Sequence, residues 1–116
     1  MRQDGQIDYV ELPGGDLSAS KAFYAQAFGW GFTDYGPTYA AFDQGLDGGF
    51  DADGDAAAGK PLVILYAHDL EAMEAKVRAA GGEIVRPIFS FPGGRRFHFR
   101  DPAGNELAVW SEAGAA

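Results

Sequence analysis

Few residues in this chain can do chemistry, and the sequence shows most of them directly. There is no cysteine, which removes thiol nucleophiles, disulfides and thiolate metal sites from consideration. Two histidines are present. His68 falls in a turn ahead of a predicted helix and reads as solvated. His98 lies in the stretch Arg95-Arg96-Phe97-His98-Phe99-Arg100, where polar and aromatic residues alternate. Such alternation predicts a strand with Phe97 and Phe99 on one face and Arg96, His98 and Arg100 on the other. On that second face His98 is the group able to carry a proton near neutral pH. Arg96 can clamp a carboxylate or phosphate through charge-assisted hydrogen bonds. Glu106 on the following predicted strand and Glu11 on the first supply carboxylates that could work with His98. A plainer reading stands beside this one. His98 is then a satisfied strand histidine, Arg96 forms an ion pair with Glu106 or Glu11, and both carboxylates are polar lining groups.

Other local signals lead nowhere. Asp51, Asp53 and Asp55 have the spacing that opens a calcium loop, but the sixth and twelfth positions are Ala56 and Leu62 instead of Gly and Glu. Gly93-Gly94 precedes Arg95-Arg96, yet a predicted strand follows, so the helix N-terminus of a phosphate loop is missing. No Ser-His-Asp arrangement can be read from so few candidates.

The elements that position these residues repeat. Asp16 and Asp69 lie 53 residues apart, as do Gly29 and Gly82. Each half reads as strand, helix, strands. Asp16 and Asp69 are suited to start helices, because a short side-chain acceptor satisfies a free N–H there. The spacing predicts helices over 16–28 and 69–81, ended by Gly29 and by Gly81-Gly82. The first would use Tyr24, Ala27 and Phe28, with Phe23 beside them. The second would bury Leu70, Met73, Val77 and Ala80. Predicted strands cover 31–34, 39–42, 83–87, 95–100 and 106–111, with a weak one at 48–50. The expected class is α+β: one domain over 1–116, with a first module at about 6–50, a linker loop at 51–60 and a second module at about 61–112. Period-two alternation places Val10, Leu12, Leu107 and Val109 against the helices. It turns Tyr9, Glu11, Ile64, Tyr66, Arg96, His98, Glu106 and Trp110 to the opposite face. That mixture of flat apolar surface and a few polar groups suits a small-molecule pocket.

Composition narrows the partners. The chain has 116 residues, 47% of them hydrophobic, and a formal net charge of −8. A nucleic acid would be repelled by that average field, despite the local pair Arg95-Arg96. No apolar run approaches the ~20 residues that span a bilayer, and the polar start lacks a signal-peptide core, so no membrane partner and a cytoplasmic location are expected. Phe32, Tyr35, Phe89 and Phe91 are aromatics without an assigned core position, which leads to the expectation of a homodimer.

The segments Asp16-Leu17, Phe23-Tyr24 and Phe28-Gly29-Trp30, with Phe97-His98-Phe99-Arg100-Asp101-Pro102-Ala103-Gly104-Asn105, resemble the vicinal oxygen chelate superfamily. This superfamily includes glyoxalases, bleomycin-resistance proteins and dioxygenases, and the nearest likeness is to its short lactoylglutathione-lyase-related branch. The resemblance covers nearly the whole chain outside 51–60 and the tails. It implies two β-α-β-β-β modules forming a cup-shaped mixed sheet, with helices on the outer face. It also implies metal ligands at three positions, occupied here by Tyr9, Leu62 and Ala108. Leu and Ala cannot coordinate a metal and a neutral Tyr is a poor ligand, so no metal and no cofactor is expected. Glu11 and Glu106 each stand two residues from such a position, which leaves a displaced carboxylate pair open. Three functions therefore compete. One is a metal-free cup binding a small, partly aromatic anion through Tyr9, Ile64, Tyr66, Arg96 and Trp110. The second is a glyoxalase-related lyase or isomerase using His98 with Glu106 or Glu11, with or without a non-standard metal site. The third is a partner-binding module.

Overall fold

The computed structural model describes residues 2–52 and 59–112. Asp53 and Asp55 of the calcium-like pattern, and most of the predicted linker loop, lie outside those residues. The elements run β1 (Ile7–Pro13), α1 (Leu17–Phe28), β2 (Thr33–Asp34), β3 (Tyr39–Gln44), β4 (Leu46–Asp51), β5 (Leu62–Tyr66), α2 (Leu70–Ala79), β6 (Glu83–Phe91), β7 (Gly94–Arg100) and β8 (Glu106–Glu112). This is the predicted α+β class, with strand-helix-strands occurring twice. The chain forms two compact units, one of Tyr9–Leu62 and one of Met1–Asp8 with Val63–Ala116. The division falls inside β1, so the first eight residues are counted with the second module.

Each module has the same strand order. In the first, β1 lies parallel to β4, which pairs antiparallel with β3, and β3 with β2. In the second, β5 lies parallel to β8, which pairs antiparallel with β7, and β7 with β6. The helices begin where the sequence predicts. Asp16 accepts from the Ala19 N–H and Asp69 from the Ala72 N–H, each satisfying a donor that the helix leaves open. Gly29 closes α1 in the left-handed conformation at φ 75°.

The two helices differ in what they bury. Leu70 of α2 joins Ala67, Phe97 and Val109 in the core of the second module, with Met73, Val77, Leu65, Ile84 and Phe99 packed around it. The alternation of β7 and β8 therefore runs as read. In contrast, α1 buries no residue fully. The expected face of Tyr24, Ala27 and Phe28 is corrected: Phe28 is 63% exposed and its neighbour Phe23 58%. Tyr24 joins the helix to the aromatic residues of the module, stacking on Trp30 at 4.7 Å and meeting Phe50 at 5.2 Å, and Lys21 pairs with Asp34 of β2 at 2.8 Å. Phe32 and Phe42 complete that aromatic layer.

The strands also lengthen and shorten relative to expectation. The weak segment at 48–50 is a full strand, because Gly48 and Gly49 sit where neighbouring groups approach closely. A Cβ on Gly48 would run into the Val10 carbonyl oxygen, and one on Gly49 into the Tyr39 phenol. The Asp101-Pro102-Ala103-Gly104-Asn105 turn is built around its first residue. Asp101 Oδ1 accepts from the Ala103 and Asn105 N–H groups, and Oδ2 from the Asn105 side-chain amide. Those donors hold the Asp101 carboxyl below its usual range. Gly104 supplies the left-handed backbone at φ 90°.

Candidate functional site

Cross-strand rungs define the face of the second module that lies opposite α2. Tyr66 pairs with Trp110, Trp110 with Arg96, and Arg96 with Phe89. The next rung runs Ile64, Ala108, His98, Arg86. Directly opposed residues share a face, so all eight side chains belong to one surface. Ile64, Tyr66, Arg96, His98 and Trp110 are there as the alternation predicts. Arg86 and Phe89 are additions. They are three residues apart and would fall on opposite faces of a regular strand. The pairing register shifts between Ile84 and Arg86 and again between Arg86 and Phe89, and this brings both round to the same side. Pro87 lies between them on the edge strand, where its missing N–H is tolerated.

His98 is the centre of this surface. It is 2% exposed, and its Nδ1 lies 2.9 Å from Glu106 Oε2. The carboxylate accepts, so Nδ1 carries the proton and Nε2 keeps its lone pair. Among the described residues Nε2 is buried with no hydrogen-bond partner. Burial is the main cause that pushes the His98 pKa below its ordinary value of 6.5, helped by the nearby positive charges of Arg96 and Arg86 and opposed by the Glu106 hydrogen bond. The imidazole is therefore neutral at pH 7. Both guanidiniums also lie near one ring: Arg86 is 4.3 Å and Arg96 5.5 Å from the Phe89 centroid, and Arg96 is 5.6 Å from that of Phe91. Phe89 in turn faces the imidazole at 5.8 Å.

The lowered His98 pKa makes stability depend on pH. Below pH 6.5 the unfolded chain binds a proton at His98 that the folded chain refuses. Stability should therefore fall as pH drops from 6.5 toward the lower folded value, by at most about 1.4 kcal/mol per pH unit. Urea unfolding at pH 7.5, 6 and 5 measures this. His98→Gln should flatten that part of the profile, and an unchanged slope in the variant would assign it to other groups.

Other predicted residues of this face are engaged in structure. The Trp110 indole N–H donates to Asp8 Oδ2 at 2.9 Å, and the Arg2 guanidinium lies 5.1 Å from its ring centroid. The Tyr66 hydroxyl donates to Glu112 Oε1 at 2.7 Å. Arg95, neighbour of Arg96, points to the other side and makes a two-point ion pair with Glu71 of α2, with distances of 2.6 and 3.1 Å. The pair Arg95-Arg96 is thus divided between two faces and makes no basic patch.

In the first module Tyr9 and Glu11 share a face of β1, and both meet Tyr39, which the sequence reading did not single out. The Tyr39 hydroxyl donates to Glu11 Oε2 at 3.2 Å and lies 2.5 Å from the Tyr9 hydroxyl. Its single proton goes to Glu11, so Tyr9 donates to Tyr39 and the Tyr9 oxygen remains an acceptor. Burial and the Glu11 charge raise the Tyr39 pKa far above the usual phenol range, and burial raises that of Tyr9. Tyr39 thus donates to Glu11, and His98 to Glu106. Of the aromatics expected at a dimer contact, Phe32, Phe89 and Phe91 have ring or guanidinium partners in their own modules, and Tyr35 is 65% exposed.

The residues present do not fit the metal that the resemblance implies. Leu62 and Ala108 have carbon side chains and no exposed surface. Tyr9 is a hydrogen-bonded phenol whose raised pKa keeps it protonated. Among the described residues no group of three or more His, Cys, Asp or Glu is placed to hold an ion, whereas a divalent catalytic site normally uses at least three such donors. Among the described residues, no helix is long and apolar enough to cross a membrane.

Known proteins agree with this architecture. CFP32 of Mycobacterium bovis, provisionally named a glyoxylase, is 28% identical over 93% of this chain, and the chain spans about half, 46%, of its length. The Mn(II)-bound glyoxalase of Novosphingobium aromaticivorans superimposes with a TM-score of 0.64 at 26% identity, covering 96% of this chain and 40% of that one. Methylmalonyl-CoA epimerase of Mycobacterium tuberculosis gives a TM-score of 0.71 at 15% identity, covering 97% of this chain and 91% of that one, a likeness of fold alone. The profile of the Glyoxalase/Bleomycin resistance protein/Dioxygenase superfamily matches residues 6–109. With nearly the full length matched and the strand-helix-strands unit formed twice, the chain belongs to that superfamily.

Proposed function

We propose that this protein binds a small, partly aromatic anion on the β5-β8-β7-β6 face of its second module, without a resident metal. One observation carries the reading: Arg86 and Arg96 lie 4.3 and 5.5 Å from the Phe89 ring centroid, on the rungs that hold the buried His98. Two cations beside an uncharged imidazole favour an anion, and the Phe89 and Phe91 rings offer flat apolar contact worth roughly 0.5–1.5 kcal/mol each beyond area burial. The net charge of −8 opposes an anion only at long range. Screening over about 8 Å at physiological salt weakens that long-range opposition. The residues at the superfamily's ligand positions support the metal-free part of the reading.

The test is a screen of aromatic carboxylates and phosphates against neutral aromatics of matched size, read by ligand-observed NMR. Arg96→Ala should weaken the anionic hits by about tenfold or more, as loss of a charge-assisted hydrogen bond implies, and leave neutral hits nearly unchanged. Equal weakening of both classes would place the binding surface elsewhere.

A further inference from the structure

The hydrogen-bond state of His98 selects among anions. Glu106 accepts a hydrogen bond from the Nδ1–H, which leaves Nε2 as an acceptor and fixes the direction of any bond it makes. The atom is buried and has no protein partner among the described residues, and an acceptor in that state costs more than a satisfied one. Neighbouring groups on its face do not compensate. Ala108 is opposite with only a methyl, Phe89 offers a ring, and Arg86 and Arg96 are placed over that ring. The imidazole thus forms a polar acceptor beside cations, a combination that an anion lacking its own donor satisfies only in part.

Resting on the binding reading above, we infer that the molecule taken up carries a hydrogen-bond donor, a hydroxyl or N–H, close to its anionic group, and that this donor bonds to His98 Nε2. The arginines then set the charge of the ligand and His98 sets its proton inventory. Sites built to pair with a ligand donor reject the analogue that lacks it, because the protein's own polar group is then left unpaired.

The test uses two anions that differ by one hydroxyl, 3-phenyllactate and 3-phenylpropionate, titrated calorimetrically into wild type, Arg96→Ala and His98→Phe. Phenyllactate should bind wild type about tenfold more tightly, and His98→Phe should abolish the difference. Because that variant could misfold, ¹⁵N spectra of wild-type imidazoles give a second readout. Nε2 should be unprotonated in the free protein and should shift with phenyllactate but not with phenylpropionate. Equal affinity of the two anions, an advantage that survives in His98→Phe, or a protonated Nε2 in the free protein would overturn the inference while leaving anion binding intact. Binding of neither anion, or binding indifferent to Arg96→Ala, would remove the anion-binding reading and this inference with it.

Discussion

Phe97→Ala should destabilise the protein by about 3–5 kcal/mol, the range for deleting a fully buried aromatic side chain. Phe97 has no exposed surface and touches the core from β7, packed with Leu70 of α2, Val109 of β8 and Ala67. The loss combines the transfer term of the ring with a cavity that the surrounding strands cannot close, because β7 is fixed by pairing on both edges. Total stability of a domain this size is typically about 5–15 kcal/mol, so the variant would be near its unfolding threshold. Phe28→Ala is the control: that ring is 63% exposed and should cost under about 1 kcal/mol. Urea unfolding of the two variants decides the matter. A Phe97 variant as stable as the Phe28 variant would mean that the α2 core is not where stability resides.

Gly48→Ala is expected to cost about 3 kcal/mol or more, at the upper end for overpacking. The added methyl would meet the Val10 carbonyl oxygen on the paired strand and lie 2.7 Å from the Phe42 ring. A backbone oxygen held in a ladder cannot turn away as a side chain can, so β1 and β4 must separate. Gly49→Ala gives a different outcome from one residue further on. Its methyl would meet the Tyr39 phenol, 2.5 Å from Cζ. The phenol can move, and in moving it leaves Glu11. The fold should survive while Tyr39 titrates closer to an ordinary phenol. Ultraviolet titration of the two variants alongside their urea midpoints separates the effects. A Gly48 variant of unchanged midpoint would show that β1 and β4 are not locked together.

These two glycines also mark how far the sequence could be read. Helix starts were legible because Asp16 and Asp69 act on N–H groups three residues away. The faces of β7 and β8 were legible because alternation holds along them, which placed His98 opposite Phe97 and Phe99. Signals that depend on a distant neighbour were not legible. Leu46-Asp47-Gly48-Gly49-Phe50-Asp51 reads as a poor strand until the Val10 carbonyl and the Tyr39 phenol are seen in the space a side chain would fill. Tyr39 itself looked like any strand tyrosine, since its link to Glu11 spans 28 positions. Arg86 and Phe89 were hidden by the register shifts around Pro87, which break the two-residue period on which face assignment rests. The exposure of Phe23 and Phe28 was hidden for the opposite reason: helical spacing shows which residues share a side, not whether anything covers it.

The division inside β1 has a consequence for how the halves of this chain can be handled. By sequence the repeat unit of the second half starts near residue 61, yet its compact body includes the first eight residues of the chain. The Tyr66 amide donates to the Gln6 carbonyl and the Tyr66 carbonyl accepts from Gly5. Asp8 accepts from Trp110, and Asp4 accepts from the His68 N–H. The duplicated unit and the spatial unit are therefore out of phase by those eight residues. A gene split at the repeat boundary would give a second fragment with an indole and an edge strand stripped of their partners, and a first fragment carrying the missing piece as an overhang.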